Sequence, residues 1–299
     1  MGHHHPVSFQ QYGKAFAWSV ALNLAFVIVQ VIYAFAANSM GLLADAVHNF
    51  GDVLGLTLAW GASWLASRTT AHERYSYGYK RTSILAAIIN ALLLVASCSL
   101  IAYESILKLI SPEVVNEKIV IVVASIGVII NGGTALLFMK GQHSDLNIKG
   151  AFMHLAADAL ISLGVVLAGI LILVTGWVWL DPVTGLLIVV AVLAGTWGLL
   201  RDSVNLILDA VPHHIDLPAV EAYLRNLPGV TSVHDLHIWG LGTQDNALTA
   251  HLVMPTKPLN DHDHQIINQE LLEKFGIGHV TLQVEAGEHQ DPCGQTHVC

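Results

Sequence analysis

Charge is scarce in this sequence. Only 12% of the 299 residues are Asp, Glu, Lys or Arg, and none of these occurs between Ala15 and Ala44. With 54% hydrophobic residues, the chain holds more apolar surface than a soluble core of this size needs, so the composition indicates a membrane protein. Basic residues are scarcest towards the end. Residues 209–299 carry three Lys or Arg against twelve Asp or Glu, along with ten of the 17 histidines. That balance excludes a basic nucleic-acid footprint and suits cations instead. Cysteine is rare too. Three residues, Cys98, Cys293 and Cys299, give an odd count without a framework, which predicts reduced thiols facing a cytosol. No basic–apolar–cleavage pattern precedes the first apolar run, so no cleavable signal peptide is expected. The H-E-x-x-H pattern of zinc peptidases is missing as well.

What the chain does have is long apolar runs. A helix needs about 20 apolar residues to span a bilayer. Six such segments are read at roughly 15–37, 41–66, 83–107, 118–139, 150–175 and 180–200. Short-loop basic residues fall unequally. Lys14, Arg68, Arg74, Lys80, Arg81, Lys140 and Lys149 lie on one side, and only Lys108 and Lys118 on the other. The basic side is cytoplasmic by the positive-inside rule, which places both termini there. Trp177 and Trp179 between the last two spans suit an interfacial belt.

The last 91 residues read as a small α+β domain with its boundary near Asp209–Val211. "DLPAVEAYLRNLPG" is a short helix with Asp216 as N-cap, Pro218 in its first turn and Gly229 past its end. "VTSVHDLHIWGL" and "NALTAHLVMP" alternate as a hairpin. "DHDHQIINQELLEKFG" is an amphipathic helix, and "HVTLQVEA" a third strand. The expected organisation is a cytoplasmic tip over 1–14, a membrane domain over 15–208 and a cytoplasmic domain with a C-terminal tail over 209–299. On an unbroken strand, His234 and His237 would face opposite sides, with His234 sharing a face with Leu236.

Three ionisable residues interrupt the second span: Asp45, His48 and Asp52. Each charge at mid-bilayer costs about 2.5–3.5 kcal/mol on insertion scales. His48 and Asp52 are four apart, about 400° of helix rotation, so they project from one face. The fifth span repeats the spacing with His154 and Asp158. Two imidazoles and two carboxylates make a tetrahedral N/O ligand set suited to zinc, whose charge would offset both aspartates. One H-x-x-x-D could simply fix helix packing by a polar pair, but two copies in apolar spans point to a metal site. Asp45 reads as a residue supporting the site, or lying on a proton path, rather than a fifth ligand. Asn23, Gln30, Asn90 and Asn131 read as interhelical hydrogen-bonding groups.

The stretches "LLADAVHNFGDVLGL", "YSYGYKRTSILAAIINALLL", "HLAADALISLGVVLAG", "LDPVTGLLI" and "VHDLHIW" resemble, in order, the signatures of the cation diffusion facilitators, and of their zinc-exporting branch in particular. The resemblance implies a homodimer of six-span protomers with a cytoplasmic ferredoxin-like domain. The expected location is a bacterial inner membrane. It implies export of divalent metal from the cytosol in exchange for protons, and it puts the transport site at His48, Asp52, His154 and Asp158. Histidine in both motifs goes with zinc, often with cadmium or cobalt. By position, a zinc site in the cytoplasmic domain would use His234, His251, His264 and Glu285, with Gln283 where some members have His. Cys293 and Cys299 in the tail, beside His289 and His297, add soft ligands. Some members hold a further metal in the loop before the third span. Tyrosines stand at those positions here and only His72 is near, so no such site is expected. The loop between spans four and five offers just His143 and Asp145.

The expectation is therefore a Zn²⁺ exporter, with Cd²⁺ or Co²⁺ as further cargo, working by proton antiport, and not an enzyme. A membrane metal sensor or store that moves nothing is the alternative, as is a family member with Co²⁺ or Ni²⁺ as its main substrate.

Overall fold

The computed structural model describes residues 9–68, 73–139, 146–256 and 258–287. Six long helices come first: α1 (Phe9–Ala37), α2 (Met40–Arg68), α3 (Thr82–Ile110), α4 (Glu117–Phe138), α5 (Leu146–Thr175) and α6 (Leu180–Ile207). Among the described residues, five are long and apolar enough to cross a membrane, namely all but α2. That helix has 29 residues, but Asp45, His48, Asn49, Asp52 and four glycines dilute its apolar content. The helix that misses the apolar criterion is thus the one carrying the first H-x-x-x-D. Outward residues such as Phe35, Leu100, Ile129 and Val174 are exposed, a surface suited to lipid rather than water.

The described chain forms two compact units, one within Met1–Thr57 and Asn90–Trp197, the other within Leu58–Ile89 and Gly198–Cys299. In the first, Phe26, Ala34, Leu42, Val120, Ala124 and Val165 belong to one apolar core. Helices α1, α4 and α5 pack closely there, and Gly127 permits it: a Cβ on Gly127 would lie 3.0 Å from Phe26 Cζ and 3.1 Å from Ser162 Oγ. Polar groups set the ends of these helices. Asp181, in the first turn of α6, accepts from the Ser39 hydroxyl and from the backbone N–H of Met40 at 2.6 Å. It thereby satisfies donors that the start of α2 leaves free. Asn38 turns the chain between α1 and α2 with φ 55°, and Lys108 donates to both its carbonyl and its side-chain oxygen.

The second unit contains α7 (Leu217–Arg225), β1 (Ser232–Gly240), β2 (Asn246–Val253), α8 (Asp261–Phe275) and β3 (His279–Glu285). Asp216 caps α7 by accepting from Ala219 N–H. Asn260 and Asp263 form a reciprocal capping box on α8, and Gly276 at φ 70° ends it. The sheet order is β1-β2-β3, antiparallel then parallel. Leu224, Leu248, Leu252, Leu271 and Ile277 are fully buried where α7 and α8 cover it. Residues 73–81, which precede α3, also belong to this unit. Lys80 pairs with Asp245 at 3.1 Å, Arg81 with Asp209 at 2.7 Å, and Ser83 Oγ accepts from Thr243 N–H at 3.1 Å.

One feature of the sheet departs from the sequence reading. His234 pairs with His251 and His237 with Thr249, so β1 carries one extra residue between them. Asp235 absorbs it at φ 51°. The bulge restores parity, and His234 shares a face with His237 and Trp239 instead of opposing them. Leu236, expected beside His234, packs against the core.

Candidate metal centres

Helices α2 and α5 bring the paired motifs together. His48 Nε2 lies 3.1 Å from Asp158 Oδ1, and His154 Nε2 lies 3.4 Å from Asp52 Oδ2. Within each helix, His48 Nδ1 is 3.8 Å from Asp52 Oδ2 and His154 Nε2 is 3.7 Å from Asp158 Oδ2. The four side chains therefore alternate, imidazole and carboxylate, around a closed ring. The ring centroids of the two histidines stand 6.4 Å apart at 77°. Ligand atoms of His48, Asp52 and Asp158 already converge within 4.8 Å, while His154 is 48% exposed at the edge. Asp158 is buried, and a carboxylate so placed needs a partner of opposite charge or a proton.

Behind this ring sits Asp45, fully buried. Its Oδ2 accepts from Gln30 Nε2 at 2.6 Å and from Ser162 Oγ at 3.0 Å. Asn49 donates to Gln30 Oε1 at 3.3 Å and to the Asp45 carbonyl at 2.9 Å. Asp45 thus links α2 to α1 and α5, and it is not a member of the converging ligand set. Gln30 was legible as a lone polar residue in an apolar span. Ser162 was not, because a helical serine commonly bonds its own backbone. Asn131 differs from its expected role: its carboxamide is buried and makes no hydrogen bond with the described residues.

The second cluster lies on the sheet. His234 Nε2 is 3.1 Å from Glu285 Oε2, and His251 Nδ1 is 2.9 Å from Glu285 Oε1. The two rings stand 5.0 Å apart at 72°. Register explains the meeting, since β2 sits between β1 and β3 and pairs His251 with His234 on one side and Gln283 on the other. Ligand atoms of His234, His251 and Glu285 converge within 4.8 Å. Burial raises the Glu285 carboxyl, but hydrogen bonds from His234 and Gln283 and the nearby imidazoles hold it below its ordinary range. His264 lies in the first turns of α8, outside this trio. Cys293, Cys299, His72, His143 and Asp145 fall outside the described residues.

The chain matches the cation efflux transmembrane domain over residues 17–208 and the cytoplasmic domain of cation efflux proteins over residues 212–287. It belongs to the cation diffusion facilitator family. Among similar proteins, the metal cation efflux system protein CzcD of Cupriavidus metallidurans is 39% identical over 93% of this chain and 86% of its own length. The cadmium, cobalt and zinc/H(+)-K(+) antiporter of Bacillus subtilis is 33% identical over 97% and 93%. The zinc transporter ZitB of Escherichia coli is 32% identical over 90% and 86%. As a member of this family, the chain is an integral, multi-pass membrane protein for metal-cation efflux, a transporter and not an enzyme.

Proposed function

We propose that this cation diffusion facilitator exports Zn²⁺ from the cytosol in exchange for protons, through His48, Asp52, His154 and Asp158. The observation that carries the proposal is the alternating ring: each carboxylate lies between two imidazoles contributed by two different apolar helices. A set of two nitrogens and two oxygens suits tetrahedral Zn²⁺. It also admits Cd²⁺ and Co²⁺, and the names of the Bacillus relatives carry those metals.

Metal must displace protons from its ligands, so one ring can serve both ions. Imidazole titrates in the physiological range, which suits His48 and His154 as proton carriers. Facing the cytosol, the deprotonated ring takes the metal. Facing outward, protons compete for the same atoms and release it. Asp45, tied to Gln30 and Ser162, holds α2 against α1 and α5 while the ring changes occupant.

The reading extends to the whole protein. Both termini and the 209–299 domain lie on the cytoplasmic side of a bacterial inner membrane, and two copies assemble as a homodimer. His234, His251 and Glu285 bind a regulatory zinc ion in each cytoplasmic domain, with His264 and the tail thiols of Cys293 and Cys299 as further ligands.

The test is uptake into proteoliposomes with internal pH recorded, across Zn²⁺, Cd²⁺, Co²⁺ and Ni²⁺. Zinc should move with opposite proton flow, and His48→Ala should reduce both to the protein-free background. Zinc binding without movement would support a sensor or store instead. Cobalt or nickel moving faster than zinc would reassign the main cargo.

A further inference from the structure

Asp235 combines two irregularities of the backbone. It is a non-glycine residue at φ 51° inside a paired strand, and it forms the bulge that separates His234 from His237 in register. Asp is one of the few side chains other than glycine's that tolerate this backbone, so the bulge can form here and aim a carboxylate. The consequence is a carboxylate beside the trio. Asp235 Oδ2 lies 3.5 Å from His251 Nε2, and Asp235 Oδ1 accepts from His237 Nε2 at 2.9 Å.

His251 is therefore flanked on both ring nitrogens. Its Nδ1 faces Glu285 and is buried without a hydrogen bond. Its Nε2 faces Asp235. A neutral imidazole carries one N–H and one lone pair, so the two faces cannot play the same part. Both carboxylates can only accept, and Glu285 is the nearer, at 2.9 Å from Nδ1 against 3.5 Å from Nε2 to Asp235. The Nδ1 contact makes no hydrogen bond, however, which leaves Nδ1 open to a metal shared with Glu285, and leaves Asp235 as the carboxylate on the other face of the ring. Metal-ligating histidines commonly donate their other N–H to a carboxylate, which fixes both tautomer and ring orientation.

We infer that Asp235 is a positioning residue for zinc binding in the cytoplasmic domain: it holds His251 as the Nε2–H tautomer and turns the Nδ1 lone pair towards His234 and Glu285. His237 in turn orients Asp235 from the bulged strand, giving a chain from His237 through Asp235 to His251. Neither Asp235 nor His237 touches the metal. The inference rests on the proposed zinc site at His234, His251 and Glu285, and the experiment separates the two.

The full-length protein in detergent, labelled with ¹⁵N-histidine, reports the His251 tautomer by NMR, assigned by difference with His251→Gln. Zinc titration against a competing chelator, followed on the same resonance, gives the affinity at this site alone. Asp235→Gly keeps the backbone conformation and removes the acceptor. Asp235→Asn also tolerates the left-handed backbone and keeps one accepting oxygen. Asp235→Gly should mix the His251 tautomers and weaken zinc about 10–100-fold, with Asp235→Asn between it and the native protein. An unchanged tautomer and an affinity within about twofold in Asp235→Gly would overturn the inference. His234→Ala is the control. If it too leaves zinc binding unchanged, the site itself is wrong. If it alone removes binding, only the role of Asp235 falls.

Discussion

The two clusters use similar side chains and are built in opposite ways. In the membrane unit, four ligand candidates come from two helices, two from each: the i,i+4 spacing aligns each pair, and the approach of α2 and α5 joins the pairs. In the sheet, three candidates come from three neighbouring strands, and their meeting depends on pairing register, a parallel crossover and a bulge. The unsatisfied atoms also differ. In the membrane ring, Asp52 Oδ2 lacks a hydrogen bond, whereas in the sheet the orphans are His234 Nδ1 and His251 Nδ1. The Asp52 oxygen lies 3.4 Å from His154 Nε2 and 3.8 Å from His48 Nδ1, where a proton or a metal ion could serve alike. Of the two imidazole nitrogens, His251 Nδ1 is the one that faces the trio, 2.9 Å from Glu285, since His234 turns its Nε2 to that carboxylate.

The sharpest way to break the contrast is to remove one ligand from each cluster. Asp52→Ala should abolish zinc uptake into vesicles and leave the zinc-induced shift of the His251 resonance unchanged. His234→Ala should do the reverse, keeping uptake at saturating zinc while losing the shift. A single substitution that removed both signals would merge the clusters into one functional unit.

A smaller effect is expected behind the ring. Asp45→Ala leaves the buried donors of Gln30 and Ser162 without their shared acceptor. Stability in detergent, followed by thermal unfolding, should fall by about 1–3 kcal/mol. An unchanged unfolding temperature would show that the buried carboxylate anchors nothing.

The smallest effect concerns the helices that cover the sheet. Tyr223 is pushed up to about 12 by burial, then by the charge of Glu270 and its hydrogen bond to that residue. A raised acid stabilises the fold below its ordinary value near 10 and loses that contribution as pH rises through about 12. The phenolate absorbance of the native protein should therefore contain a late component, and Tyr223→Phe should delete it. A normal tyrosine titration would show that this contact between α7 and α8 is not held in solution.

The contrast between clusters also explains what was legible in the sequence. Long apolar runs gave the six helices to within a few residues at most ends, because the bilayer imposes a length and a composition. His48 with Asp52, and His154 with Asp158, were readable because helical spacing is a fixed rule. The helices and strands of the small domain, in chain order, and its first hairpin were readable from alternation and caps, whereas the parallel pairing of β3 with β2 was not. The geometry of Asp235 was not, since its bulge arises from pairing with β2 and leaves the strand's composition unchanged. The hydrogen bond from Ser162 to Asp45 was hidden for a similar reason: 117 residues separate them, and only the packing of α5 against α2 brings them together.

The central claim is that the alternating ring carries the transported ion. Zinc-driven proton flux in proteoliposomes holding Asp158→Ala tests it most directly, because Asp158 is buried and lies against both His48 and His154. The account predicts that addition of zinc produces no pH change above the protein-free background. Proton flux at the native rate in that variant would contradict it.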